Sequence, residues 1–272
     1  MADGAELPGS GREREPRGVQ TVETGLSLLS LLTEGEPLTA AELSRRAGLS
    51  KGQTHAYLVS FQTAGLIARN PESGRYGIGR FGLELGAAHL AGFDPQQVAS
   101  EEAQKLADSL GQRVSLSVWG SYGPTVTAVH EGSERIRINA RPGTVYSVTG
   151  TATGRLFAAL LPAGQVGPVA RAQAQEPPPG RYVGQCPGWD EVQDGLTAIR
   201  QSGISVTYSW PQPGISAIAA PVRNFSGRLD MAVTLIGAAE EIDIAIEGRH
   251  VQELVWAAAR ISHRLGCCPP PP

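Results

Sequence analysis

Two polar residues in one short stretch, Gln53 and His55, carry an amide and an imidazole that can hydrogen-bond the edges of DNA bases. Gly52 and Ala56 are small neighbours, so a helix through this stretch would have a backbone able to approach a duplex closely. Lys51 carries a positive charge suited to phosphate groups, which fix position without reading sequence. The residue types therefore favour contact with double-stranded DNA at this place.

The starts of two helices that would hold these side chains are marked in the sequence. Thr39 with Glu42, and Ser50 with Gln53, have the spacing of capping boxes, in which a hydroxyl and a longer polar side chain satisfy each other's backbone N–H groups. Gly48 can adopt the left-handed conformation that ends the first helix. This short turn predicts the steep crossing of a helix-turn-helix.

Helical geometry, at about 100° per residue, separates two faces of the second helix. The inner face, expected in the core, comprises Thr54, Tyr57, Leu58 and Phe61. The outer face is centred on Gly52 and Ala56. Two alternatives stay open: Gln53 reads a base or only serves its capping box, and His55 reads a base or is a solvated helix residue.

The flanking segments complete a winged helix. Residues 19–33 predict a helix whose apolar stripe comprises Val22, Leu26, Leu29 and Leu32. Residues 66–69 and 75–78 alternate with period two around a turn-rich loop, which predicts a hairpin. A linker helix is expected over 81–91.

The candidate DNA contacts include basic residues outside the second helix. The full set is Arg45, Arg46, Lys51, Gly52, Gln53, Thr54, His55, Ala56, Arg69 and Arg75. Residues 18–92 nevertheless contain six basic and six acidic side chains, and the whole chain has a net charge of −3. Any positive surface must therefore be local, which favours a dimer that combines two modest footprints.

The second half of the chain predicts an α+β domain with a mostly antiparallel sheet. Strands are expected at 113–118, 125–130, 135–139, 204–208, 215–222 and 231–236, and helices at 95–110, 152–161, 190–201 and about 240–265. Asp94 and Pro95 mark the start of the first of these helices, and Gly111 its end. Residues 163–187 are expected to be rich in loops.

Motifs for enzymatic chemistry are weak. Gly77, Gly79 and Gly82 satisfy G-x-G-x-x-G, but the preceding strand belongs to a hairpin rather than to a parallel βαβ unit, so we expect the glycines to let the chain bend. The five histidines are scattered singly and the three cysteines lack metal-ligand spacing. We expect no catalytic site, cofactor or metal. Without a signal peptide or a run of about eighteen apolar residues, we expect a cytoplasmic protein without membrane contact.

The residues resemble the IclR family of bacterial transcriptional regulators over nearly the whole chain. In the N-terminal half, the resemblance is carried by residues 19–79, and within and just after them by the runs Gly74-Arg75-Tyr76-Gly77-Ile78-Gly79 and Leu83-Glu84-Leu85-Gly86. In the C-terminal half it is looser, and it is carried by Pro142-Gly143, Gly150-Thr151-Ala152-Thr153-Gly154-Arg155 and Ile218-Ala219-Ala220-Pro221-Val222. It implies a winged helix, a linker helix and a GAF-like effector-binding domain, in homodimers or homotetramers on DNA. Ala56 stands where the family commonly has Arg, which shifts weight to Gln53 and His55.

The resemblance also implies an effector site. Its candidate residues are Trp119, Val148, Ala152, Thr153, Tyr208, Trp210, Ala217, Thr234 and Ile236. Residues 207–210 are Thr-Tyr-Ser-Trp where many members carry acids, which suggests an aromatic compound or a carboxylic acid with an apolar body. A carboxylate could dock at the helix start near Ala152. An alternative stays open for three of these aromatic residues, which could fill the core instead of contacting an effector: Trp119, Tyr208 and Trp210.

The sequence thus predicts a DNA-binding transcriptional regulator controlled by a small organic effector. The expected organisation is a disordered tail (1–17), a winged helix-turn-helix (18–80), a linker helix (81–93), a sensor domain (94–266) and a tail (267–272). A protein-interaction module and an enzyme that uses the C-terminal domain are the alternatives.

Overall fold

The computed structural model describes residues 18–33, 35–134 and 140–267. The chain divides into two compact units, with the boundary along the chain between Phe93 and Asp94. The tail expected at 1–17, the strand expected at 135–139 and residues 268–272 lie outside the described residues.

The N-terminal unit is a winged helix. Its elements are α1 (Gln20–Ser30), α2 (Ala40–Ala47), α3 (Lys51–Thr63), β1 (Ile67–Arg69), β2 (Tyr76–Ile78) and α4 (Arg80–Ala91). The two strands are antiparallel, with Ile67 opposite Ile78. Leu28, Leu43 and Leu58, one from each of the first three helices, are fully buried and form the centre of the core.

The buried face of α1 differs from the predicted stripe. Leu32 is buried, but Val22 and Leu26 are each 55% exposed. The face turned inward is that of Gly25 and Leu28. A Cβ on Gly25 would lie only 3.1–3.2 Å from the rings of Tyr57 and Phe61, so the missing side chain is what lets α1 pack against α3.

The glycine motif between β2 and α4 has a packing role. A Cβ on Gly79 would lie 2.4 Å from the carbonyl oxygen of Gly65, and one on Gly82 would lie 2.4 Å from Cγ2 of Ile78. Both distances are far below van der Waals contact. A side chain at position 79 would therefore collide with the backbone of Gly65, and one at position 82 would have to displace the side chain of Ile78.

The C-terminal unit surrounds a seven-stranded sheet. Its strands are β3 (Arg113–Gly120), β4 (Gly123–His130), β5 (Val145–Tyr146), β6 (Tyr182–Val183), β7 (Ser205–Thr207), β8 (Ile215–Arg223) and β9 (Leu229–Ala238). Its helices are α5 (Pro95–Leu110), α6 (Ala152–Leu160), α7 (Ala163–Gln175), α8 (Gln193–Ser202) and α9 (Arg249–Arg264). The strand order is β6-β5-β4-β3-β9-β8-β7, and every pair is antiparallel except β5 with β6.

Two helix predictions in this unit were wrong. α7 occupies part of the expected loop, because Val166 and Ala170 lie one turn apart and are buried even though Pro168 interrupts the hydrogen bonding. α9 begins at Arg249 rather than near 240, since Gly248 is extended and the preceding residues form turns. The short strands β5 and β6 were not predicted.

A buried carboxylate joins α5 to α9. Glu102 accepts hydrogen bonds from Lys105 and Arg260, both at 2.8 Å, and Arg264 lies 3.7 Å away. Burial by itself would raise the pKa of Glu102, but the hydrogen bonds and charges of Lys105 and Arg260 outweigh it and hold the pKa below its ordinary value. Glu102 is therefore charged at neutral pH and stabilises the contact between the helices.

Replacing Glu102 by Gln is expected to lower the free energy of unfolding at pH 7 by about 2 kcal/mol, because charged hydrogen bonds across the contact are lost. The lowered pKa makes this contribution fully present above the ordinary value of 4.5, and it is lost as the pH falls through the lower folded value. The difference between wild type and variant should shrink there in urea titrations. Glu101→Gln, at the exposed pair with Arg264, is the control, and an equal loss would contradict the assignment.

Candidate functional site

The start of α3 is fixed by the predicted reciprocal hydrogen bonds. Ser50 Oγ accepts from the Gln53 N–H at 3.3 Å, and Gln53 Oε1 accepts from the Ser50 N–H at 3.1 Å and from its hydroxyl at 2.8 Å. Gly48, with φ of 66°, ends α2. The oxygen of Gln53 is thus engaged in the cap, while its Nε2 donates to no acceptor within the described residues and can still face a base.

The outer face of α3 has few side-chain atoms. Gly52, His55 and Ala56 are exposed. Apart from its chain neighbours and the backbone of its own helix, no atom of the described residues lies within 4 Å of the Cβ position of Gly52. Thr54 was wrongly included among the DNA contacts. Its side chain is buried, and its hydroxyl donates to the Ser50 carbonyl at 3.0 Å.

Most of the predicted basic residues are exposed around this face. Arg45 and Arg46 end α2, Lys51 begins α3, and Arg69 ends β1 with its side chain exposed. Arg75 was predicted as a DNA contact, but its guanidinium binds within the protein. Its Nη1 donates to the Pro37 carbonyl at 2.9 Å and to Glu42 at 3.2 Å. Arg75 therefore ties the hairpin to α2.

A second candidate site is a small cavity in the C-terminal unit, between the start of α6 and strands β7, β8 and β9. It has a volume of about 50 Å³. Six of the predicted effector residues line it, namely Ala152, Thr153, Trp210, Ala217, Thr234 and Ile236. The remaining lining residues, which sequence reasoning missed, are Tyr146, Thr151, Val183, Thr207, Pro211, Gln212 and Ile215.

Three predicted effector residues do not line this cavity. Val148 is fully buried in the core around α6, and Trp119 packs there with its ring 5.7 Å from that of Phe157. Tyr208 is 60% exposed. Trp119 thus packs against the core in this structure, and its place in an effector site stays a prediction.

Polar atoms in the cavity wall lack partners. Thr207 Oγ1 and Trp210 Nε1 are buried, and neither has a hydrogen-bond partner within the described residues. The hydroxyls of Thr153 and Thr234 instead bond each other at 2.8 Å. Burial raises the pKa of Tyr146, so its phenol is neutral at physiological pH. Buried polar groups without partners are costly, and a polar ligand would satisfy them.

The loop between β7 and β8 covers the cavity. Trp210, Pro211 and Gln212 form part of the wall, and the loop is held by hydrogen bonds such as Gly214 N–H to Ser209 Oγ at 2.7 Å. Ligand pockets commonly have about 300–1,000 Å³, so this cavity is too small for an organic effector unless the loop moves.

Replacing Thr207 by Val is expected to stabilise the ligand-free protein by about 1 kcal/mol, because it removes a buried hydroxyl without a partner and keeps the side-chain shape. Thr153→Val is the matched control. It leaves the Thr234 hydroxyl without its partner and should destabilise by about the same amount. Urea unfolding of the two variants measures both effects, and a loss of stability in Thr207→Val would show that its hydroxyl is already satisfied.

Within the described residues, no helix is long and apolar enough to cross a membrane, and no group of three or more His, Cys, Asp or Glu side chains could hold a metal ion.

Comparisons with known proteins match both units. The model of the IclR helix-turn-helix domain matches residues 21–71, and that of the bacterial transcriptional regulator IclR C-terminal domain matches residues 87–263. The glycerol operon regulatory protein of Streptomyces griseus is 29% identical over 260 residues, which are 92% of this chain and 98% of the relative. The Escherichia coli regulator XynR is 26% identical over 251 residues, 91% and 98% of the two chains. The crystal structure of Pseudomonas aeruginosa HmgR aligns with a TM-score of 0.76 at 26% identity, covering 92% of this chain and 99% of that one.

Proposed function

The chain belongs to the IclR family of bacterial transcriptional regulators, and from this premise we propose which surfaces bind its operator, its effector and its second copy. The observation that carries the proposal is the exposed outer face of α3, where Gly52 and Ala56 leave the helix backbone accessible. A face of this kind fits the major groove of double-stranded DNA.

Within this proposal, Gln53 and His55 contact base edges. Gln53 does so through its Nε2, since its oxygen is held by the cap. Arg45, Arg46 and Lys51, with Arg69 on the hairpin, contact phosphates. The equal numbers of basic and acidic residues in 18–92 limit each footprint, so two copies are needed for tight binding.

Replacing Ala56 by Glu is expected to weaken operator binding by about 100-fold, because a bulky anion would meet the negatively charged duplex. The operator would first be selected from random duplexes with the wild-type chain, and affinity measured by fluorescence anisotropy. Gln62→Glu adds the same charge at an exposed position near the end of α3, away from the helix start proposed to enter the groove, and should weaken binding far less.

Two outcomes would contradict this surface. One is an Ala56→Glu variant that binds like wild type, and the other is binding to random duplex with no dependence on salt, because phosphate contacts release counterions and give a steep slope. The second outcome would favour the alternative of a module that contacts a partner protein.

We further propose that the effector occupies the cavity beneath Trp210 after the covering loop opens. Thr207 Oγ1, Trp210 Nε1 and the Tyr146 phenol offer hydrogen bonds to it, and the N–H groups at the start of α6, near Ala152, would attract a carboxylate. A carboxylic acid or aromatic compound fits this chemistry. The effector would bind one arrangement of the dimer more tightly than another and so favour it. Through α4, that arrangement would set the distance between the two DNA-binding units, and hence the spacing of the operator half-sites that they fit.

The exposed apolar residues of the N-terminal unit support self-association. Most of the large ones lie on α1, immediately before it or on α4, namely Val19, Val22, Leu26, Phe81, Leu83, Leu85 and Leu90. Val59 on α3 and Ile78 on β2 are also exposed. No residue of α4 is buried, which is unusual for a helix so rich in leucine. A second copy of the chain would cover this surface in a homodimer, the assembly we propose for a protein of the cytoplasm.

Replacing both Leu83 and Leu90 by Glu is expected to convert the dimer to a monomer, because two charges would be buried at the proposed contact. Light scattering after size-exclusion chromatography measures the mass. Phe225→Glu, at a 70% exposed position in the C-terminal unit, should leave the mass unchanged. A double variant with the wild-type mass would place the contact elsewhere.

A further inference from the structure

A second and larger cavity lies in the C-terminal unit, on the other face of β7. Its volume is about 360 Å³, in the range of small-molecule sites. Its wall includes two charged residues, Arg155 and Glu191, and the aliphatic residues Ile204, Val206, Ile244 and Ile246. None of these residues lines the cavity beneath Trp210. Val206 and Thr207 are neighbours on β7, and since alternate side chains of a strand point to opposite faces, each faces a different cavity.

Arg155, a cation in this cavity wall, forms no ion pair within the part of the chain that the structure describes. The side chain of Arg155 is partly buried, and its Nε donates to the Thr149 carbonyl at 2.8 Å. Within the described residues, no carboxylate lies within 4.0 Å of it, whereas Arg260 and Arg264 pair with acids. Burial lowers the pKa of Arg155. The hydrogen bond to Thr149 restricts the guanidinium while leaving its two terminal nitrogens for a bidentate acceptor.

The rest of the wall is mostly aliphatic. Ile204 and Val206 come from the β7 segment, and Ile244 and Ile246 from the turns before α9. Ile246 is 64% exposed, so part of this wall faces solvent. Glu191 is exposed at the same cavity and would oppose a second negative charge on any ligand. One cation beside branched hydrocarbon therefore selects a single anionic group with an apolar tail.

We infer that this cavity binds a monocarboxylic acid with a hydrocarbon chain, its carboxylate on the Arg155 guanidinium and its chain along the isoleucine wall. The site is separate from the effector cavity and requires no opening of the loop that carries Trp210.

Octanoate tests the inference in isothermal titration calorimetry with the full chain at pH 7. Arg155→Met keeps much of the side-chain bulk and should weaken binding by about tenfold or more, because the carboxylate loses its cation. Ile246→Asp, at an exposed position, should weaken it similarly, while Phe225→Asp is the matched control outside the cavity. On the wild type, 1-octanol should bind more weakly than octanoate.

Three results would overturn the inference: no octanoate binding to the wild type, equal affinity for octanoate and 1-octanol, or wild-type affinity in both Arg155→Met and Ile246→Asp. Thr207→Val should bind octanoate like wild type, and a loss confined to that variant would place the acid beneath Trp210 instead. If Arg155→Met does not fold, Ile246→Asp and the comparison with 1-octanol decide.

Discussion

The reciprocal hydrogen bonds between Ser50 and Gln53 are the local constraint on which the proposed DNA interface depends. They fix where α3 begins, and the left-handed Gly48 just before them sets how sharply the chain turns out of α2. With its start fixed, the inward placement of Thr54 and Leu58 leaves Gly52 and Ala56 outside. If α3 began one residue later, its side chains would be rotated by about 100° around the helix axis relative to α2, and a different face would point outward.

The features that the sequence predicted well are those set by neighbours along the chain. Both capping boxes of the N-terminal unit and the Asp94 cap of α5 need only residues within three positions of each other. Gly48 and Gly111 end their helices through their own backbone freedom. The α+β class of the C-terminal unit and six residues of its small cavity were also predicted, the latter through a family resemblance rather than through local chemistry.

The features that were missed depend on contacts between distant segments. The exposed position of Val22 and Leu26 follows from two rings on α3 that pack over Gly25, and the engagement of Arg75 follows from an acid 33 residues away. Strands β5 and β6 have two residues each, too few for a periodic signal. The unsatisfied hydroxyl of Thr207 has no sequence signature, because only the arrangement of the surrounding side chains leaves it without a partner.

The carboxylate of Glu42 serves two parts of the winged helix at once. It accepts the N–H of Thr39 at 2.7 Å and its hydroxyl at 2.8 Å, which caps α2, and it also pairs with Arg75 on the hairpin. These hydrogen bonds from Thr39, with the charge of Arg75, keep the pKa of Glu42 low. A hairpin with three residue pairs is marginal alone in water. The hairpin therefore depends on α2 for its stability, and the wing and the three-helix core form one cooperative unit.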